Sequence, residues 1–363
     1  MNCRTHPFPM NALRTWVYAA AALLSGVAGI HAGDARLLTF TNFATFHREA
    51  TGPGVVTLVS PELSPGFQWR ELVVSWNAAT NVALFIEARP VTPPGARYLS
   101  MGRWTAHPDS GSPRESARGE REPWGEVQTD VLVLRDPTVA AQVRVELRGP
   151  EQGLRRLCLA FSADSAQGGA VEPHREAWGR ELAVPIRSQA EYPEGVSKWC
   201  SPTSTTMLMA YWGEQRGRVE WIPEVPVTAA GVLDPGWGGT GNWPFNMAFA
   251  GSPAGLNGAV SRFRAVGDLE RWVAAGLPAA ASVSYALLKG KPAVESGDGH
   301  LIVVRGFTAD GDVVVNDPGV RRERVRRVFP RANFERAWAH SGRTVYLVWP
   351  EGQGLPEGPV FPR

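Results

Sequence analysis

The chain has 363 residues, 44% of them hydrophobic and 20% charged, with a formal net charge of +2. That length predicts two domains, each with enough apolar residues for a core. Arg4 and Arg14 are the only charged residues among the first 32, so the remainder balances at 35 basic against 35 acidic residues. Such a balance gives no reason to expect nucleic acid or an anionic membrane as a partner.

The N-terminal stretch "NALRTWVYAAAALLSGVAGIHAG" has Arg14 ahead of an apolar run from Trp16 to Ile30, with small residues at Ala32 and Gly33. This layout predicts a secretory signal peptide over residues 1–32 and a secreted, extracellular or periplasmic protein. An uncleaved anchor is the other reading, but a run of about 15 residues containing Ser and Gly is short for a span. No later segment is apolar enough to cross a bilayer, so no membrane span is expected after signal removal. Cys3 leaves with the signal, and Cys158 and Cys200 remain. A single disulfide is one reading for an exported protein. The other is that Cys158, in the alternating stretch "RRLCLAFSA", is a small buried hydrophobe.

Residues 34–165 read as all-β and sandwich-like. "GVVTLVS", "RELVVSW", "VALFIEARP", "VQTDVLVL", "AAQVRVELRG" and "RRLCLAFSA" are β-branched runs punctuated by turn residues. The polar, Gly/Pro-rich "HPDSGSPRESARGEREPWG" between them predicts a long exposed loop. Residues 166–180 predict a linker, residues 181–350 a second domain and residues 351–363 a C-terminal tail.

In the second domain "LAVPIRSQ" predicts a short strand and loop. "SPTSTTMLMAYWG" predicts a helix with Ser201 or Thr203 as cap, Pro202 in its first turn and Gly213 as its stop. "GDLERWVAAG" predicts a helix capped by Asp268 and ended by Gly276. The runs "PAAASVSY", "HLIVVRGF", "DVVVND" and "RTVYLVW" predict strands, two of them joined by the hairpin turn at Asp310–Gly311, and "RANFERAWA" a short helix before the last of them. A helix followed by a mostly antiparallel sheet makes this an α+β domain.

The chemistry concentrates in four residues. Cys200 stands at a helix N-terminus, where unpaired N–H groups and the helix dipole stabilise a thiolate. His300 opens a strand after the flexible "SGDG", positioned to serve as a base. Asp317, in "GDVVVNDPG", ends the returning hairpin strand, where a carboxylate can hold the far ring nitrogen of the histidine. Gln189, in "PIRSQAEY", and the Cys200 N–H are donors for an oxyanion. Singly each has a plain structural reading: a lone cysteine before a helix is more often structural, and "NDPG" is a common turn. Their order within one domain is what points to chemistry. There is no CxxC or HExxH spacing, and "PGWGGTG" lacks the lysine of a phosphate loop, so no metal and no cofactor are expected. The run "RRERVRRVF" reads as one exposed strand face in preference to a basic binding patch. The Trp-rich loop from Trp221 to Trp243 is either core or a ligand surface.

With "VPIRSQ", "WCSPTSTTMLMAYWG" and "GDGHLIVVRGFTADGDVVVNDP" in view, residues 182–349 resemble the papain-like cysteine peptidases of family C39, in a stand-alone secreted branch. The resemblance implies a papain-like fold with Cys200 as nucleophile, His300 as general base, Asp317 as its orienter and Gln189 in the oxyanion hole. It also implies a peptide or protein substrate. The family usually has Gly after the cysteine, where this chain has Ser201. The Gln-to-Cys spacing is longer than in transporter-borne relatives, and no ATPase accompanies the domain. The front region, with "ELVVSWNA" and "YLSMGRW", is similar to that of exported actinobacterial-type members. The expected activity is that of a secreted thiol hydrolase. An amidase or acyltransferase on the same site, and a binding protein with a dead site, are the alternatives. Oligomeric state is not encoded in any of these features.

Overall fold

The computed structural model describes residues 34–108, 113–117, 119–163, 168–294 and 297–363. The expected signal peptide lies outside them. Among the described residues no helix is long and apolar enough to cross a membrane.

The front half is built from β1 (Ala35–Phe40), β2 (His47–Gly52), β3 (Val55–Val59), β4 (Trp69–Ala78), β5 (Ala83–Pro90) and β6 (Leu99–Thr105), followed by β7 (Arg121–Glu122), β8 (Gly125–Gln128), β9 (Val131–Thr138), β10 (Ala141–Arg148) and β11 (Leu154–Ser162). These strands form two antiparallel sheets, ordered β1-β11-β4-β9-β8-β7 and β2-β3-β10-β5-β6. The expected single run "VQTDVLVL" is split by a turn with Thr129 at φ 62°, so it contributes both β8 and β9. β10 shows why the sequence folds this way. Its Ala141, Val143, Val145 and Leu147 are buried while Gln142, Arg144 and Glu146 face outward, the period-two pattern of a half-buried strand.

β4 and β11 are different, because both their faces are covered. Leu72, Val74 and Trp76 of β4 enter the front core, as do Leu157, Leu159 and Phe161 of β11. Val73, Cys158 and Ala160 point the other way, into the core of the second half. Two polar residues of β4 complete that second face. Ser75 Oγ accepts the Val260 N–H at 3.1 Å, and Asn77 exchanges hydrogen bonds with the backbone of Gly258.

The second half holds α1 (Cys200–Arg216), α2 (Val225–Val232), α3 (Trp243–Ala250), β12 (Leu256–Arg262), α4 (Val266–Ala274), β13 (Ala279–Ser284) and α5 (Tyr285–Leu288), then β14 (Gly299–Phe307), β15 (Val313–Asn316), β16 (Arg326–Phe329), α6 (Arg331–Ala339) and β17 (Thr344–Pro350). Its antiparallel sheet runs β12-β17-β13-β14-β15-β16. Antiparallel sheets with helices packed on them make the chain α+β.

α1 is buried along its length from Ser201 to Gly213 although its first half is rich in Ser and Thr. Apart from Thr203 Oγ1, which has no partner among the described residues, those hydroxyls are tolerated because neighbouring elements satisfy them. Thr205 Oγ1 bonds Asn246 Oδ1 at 3.0 Å, and Thr206 Oγ1 bonds Thr228 Oγ1 at 2.8 Å. The helix ends differently from expectation. No side chain caps its start, where Trp199 is the cap residue, and Ser201 and Thr203 lie inside it. Gly213 does not stop it. The left-handed cap is Gly217 at φ 63°, and Gly213 is instead the point where Ile222 packs, 2.3 Å from where a Cβ would stand. α4 starts at Val266 rather than being capped by Asp268, whose carboxylate accepts the Arg264 N–H from within the first turn; Gly276 follows its end at φ 81°, as the sequence predicts.

The halves share an extensive seam. Phe245 of α3 reaches into the front core, 5.4 Å from Trp104 and 6.2 Å from Trp76 between ring centroids. The expected exposed loop after β6 is in part buried there. Arg114 donates to the carbonyls of Ala230 and Leu233, and the Ser116 N–H donates to Asp234 at 2.9 Å. The stretch read as a linker is docked from residue 168 onward, with the His174 N–H and Trp178 Nε1 both donating to buried Glu270. The C-terminal tail is docked too. Phe361 stacks on Trp272 at 5.7 Å, and the Leu37 N–H of β1 donates to the Pro359 carbonyl.

Candidate active site

β14 is fixed on both sides, by β13 and by β15, and it delivers His300 as its second residue. The returning strand β15 places Asn316 opposite Val303, with a bulge between Val304 and Gly306. Asp317 follows at the strand end and reaches back along β14 to His300. Its Oδ1 lies 2.7 Å from His300 Nε2. That contact leaves Nδ1 as the ring nitrogen for Cys200, the hydrogen-bond partner on the other side.

Cys200 is the first residue of α1 and is partly exposed. Burial pushes its thiol up, but the bond to His300, the charge on that imidazole, and the N–H groups of Leu301 and Ser201 outweigh burial, and the balance is a lowered pKa. His300 moves the opposite way. Burial pulls it down, and the bonds to Asp317 and Cys200 raise it further, to about 9. A lowered thiol beside a raised imidazole favours the thiolate–imidazolium form of the pair. One more bond keeps the two elements together: Ser204 Oγ of α1 donates to the Leu301 carbonyl of β14 at 3.2 Å.

Asp317 is fully buried, and four donors hold its charge. Besides His300, the Gly319 N–H reaches Oδ1 at 2.9 Å, while Tyr285 Oη at 2.9 Å and Arg327 Nη1 at 2.8 Å reach Oδ2. Burial would raise this carboxyl, but the bond to His300 and its charge, with the other donors, hold it well below the ordinary carboxylate range. The sequence singles out Asp317 as a candidate but not the groups that support it. Gly319 was visible only as the end of "NDPG". A Cβ there would stand 2.8 Å from His300 Cε1, so glycine is what lets the loop approach the ring. The Tyr285 ring lies 4.3 Å from the His300 ring between centroids, at 40°. No local signal ties Tyr285 or Arg327 to Asp317, because both contacts arise from strand order.

Gln189 is brought beside the site rather than into its hydrogen-bonded line. Its N–H donates to the Pro318 carbonyl at 3.0 Å, next to Asp317. Its buried side chain donates from Nε2 to the Val196 carbonyl at 2.7 Å, four residues before Cys200. Its Oε1 has no protein partner.

Residues 181–346 match the model of the Peptidase_C39 like family, and residues 26–157 that of the Peptidase C39 N-terminal domain. Residues 181–346 thus form a C39-like peptidase domain, preceded by a C39 N-terminal domain. A crystal structure described as a C39-like peptidase from Bacillus anthracis is similar at 17% identity with a TM-score of 0.36, covering 47% of this chain and 98% of that one. No curated protein matches the chain.

Two features of this C39-like chain bear on its thiols. Ser201 is fully buried, and its hydroxyl is taken up by Tyr346 Oη at 2.8 Å. Cys158 and Cys200 are both free thiols. Cys158 is wholly buried in β11, and burial pushes it up to about 12. In the Trp-rich loop Trp221 is core, packed beneath α1, while Trp237 is 40% exposed.

Proposed function

We propose that the chain is a cysteine peptidase whose site is Cys200, His300, Asp317 and Gln189. The observation that carries the reading is the line from a lowered thiol at the head of α1, through His300, to a buried carboxylate 2.7 Å from Nε2. In this reading the Cys200 thiolate attacks the scissile carbonyl and a C–S bond forms. The oxyanion is met by the Cys200 N–H and the Gln189 side chain. As the C–N bond breaks, the leaving amine takes the proton from His300 Nδ1. Water, deprotonated by the same nitrogen, then hydrolyses the thioester and the thiol is restored. Asp317 holds the ring with Nδ1 toward sulfur throughout. The Ser201 hydroxyl is buried against Tyr346, which weighs against the alternative of a binding protein with a dead site.

The proposal extends to the rest of the chain. Residues 1–32 act as an export signal, residues 34–165 form a β-sandwich domain, and residues 181–350 form a papain-like domain whose substrate is a peptide or protein.

The test is alkylation of the purified mature protein by iodoacetamide across pH, with mass spectrometry to locate the label. Expected is fast labelling of Cys200 well below the ordinary thiol value of about 8.5, lost in His300→Ala. Labelling that rises only near that value overturns the reading. Because the thiolate forms early and the imidazolium is lost only as pH climbs through about 9, peptide hydrolysis should rise through acid pH and decline on the alkaline side.

A further inference from the structure

The run "RRERVRRVF" is not one flat strand face. It turns through a short helical bend at Arg322–Arg324 before entering β16. Between this bend, the Gly319 loop and the end of α5 lies an open groove of about 970 Å³, within the size range of ligand sites. Two of its wall residues, Gly319 and Tyr285, are the ones packed against His300. The groove therefore begins where the imidazole ends.

Its charge is one-sided. Arg327 is paired with Asp317 at 2.8 Å and Arg326 with Glu181 at 2.8 Å. Arg321 and Arg324, both exposed, have no carboxylate partner among the described residues. The Lys289 ammonium sits 3.3 Å over the Tyr285 ring. Against these three cations the lining offers one carboxylate, Glu323. A groove lining in which cations outnumber carboxylates concentrates anions there. The position relative to the chemistry sets which part of a substrate they meet. The leaving amine takes its proton from His300, so the segment C-terminal to the scissile bond lies on the imidazole side.

We infer that this groove is a subsite for a carboxylate on the leaving-group side of the scissile bond, with Arg321, Arg324 and Lys289 as its recognition groups. The inference rests on the peptidase reading above. The carboxylate comes either from an Asp or Glu side chain just after the cut or from the α-carboxylate of a short C-terminal segment.

Two sets of internally quenched peptides test this with the mature full chain. One set has amidated C-termini and Asp, Glu or a neutral residue at each of three positions after the cut. The other is neutral throughout with a free C-terminal carboxylate. Expected is a preference of about 10-fold in kcat/KM for carboxylate-bearing peptides. It should be weakened by salt and abolished when Arg321→Ala and Arg324→Ala are combined. Whichever set carries the preference identifies the source. Cleavage without preference, or a preference the double variant keeps, overturns the subsite and leaves the peptidase intact. If neither set is cleaved, it is the peptidase reading that fails. The groove is then decided by anisotropy of a fluorescein-labelled acidic peptide on Cys200→Ala. Binding weakened about 10-fold by the double substitution supports the groove, and absent or unchanged binding overturns it.

Discussion

Cys158 and Cys200 are the same side chain in two regions of one molecule, and their surroundings drive them apart. In β11, Cys158 has apolar neighbours, and burial pushes its thiol up to about 12 against a weaker opposing pull from the Arg156 charge. At the head of α1, Cys200 meets His300 and two backbone N–H groups, and its thiol is lowered although burial opposes it. Desolvation acts on both. The difference is whether donors are aimed at the sulfur, and only a helix start facing a strand that carries a histidine supplies them.

The largest contrast to test is in reactivity. In the folded protein Cys200 should be alkylated more than about 100-fold faster than Cys158 near neutral pH, and the ratio should fall toward one in denaturant. Comparable native rates, read by mass spectrometry on a time course, would break the comparison.

Next in size is Asp317→Asn. Because the ion pair with Cys200 is already favoured before substrate binds, kcat/KM should fall roughly 10- to 100-fold, whereas Cys200→Ala falls to background. Equal losses would show that Asp317 does more than orient the ring. The same variant has a stability signature. The folded-state pKa of Asp317 lies below its unfolded value, so it contributes stability that is present above about pH 4 and lost as pH falls. Asp317→Asn should flatten the acid limb of the melting-temperature profile.

Smaller again is Gly319→Ala. Its Cβ would press on His300 Cε1 at 2.8 Å. Displacing the ring should lower kcat/KM about 10-fold with little change in melting temperature. An unchanged rate would mean the loop gives way instead. The smallest effect belongs to Cys158→Ala. It should leave hydrolysis untouched and cost about 1 kcal/mol in chemical denaturation, a modest cavity in a packed seam.

The catalytic candidates were legible in the sequence because each sits where an element changes. Cys200 precedes Ser-Pro, His300 follows Gly-Asp-Gly, and Asp317 precedes Pro-Gly, so local chemistry marks all three. The strands of the front half were legible from alternation, as in β10. What local pattern could not carry was the support of the site. Tyr285, Arg327 and Leu301 meet Cys200, His300 or Asp317 only after β13, β14, β15 and β16 have paired. The bulge near Arg305 is a register event with no composition of its own. The helix ends were misread for a related reason. Gly213 looks like a stop, yet close packing by Ile222 demands glycine there, and the stop falls at Gly217.

The placement of Phe245 has a consequence for anyone who would treat this chain as modular. A fragment cut to residues 181–350 would keep the whole candidate site and yet present to water the face of α3 that completes the front core, together with the side of β12 that β4 covers. Such a fragment should be prone to aggregation. A chimera carrying a foreign front region would need a matching socket for that one aromatic ring. The boundary between two sequence families is here not a boundary between two autonomous parts.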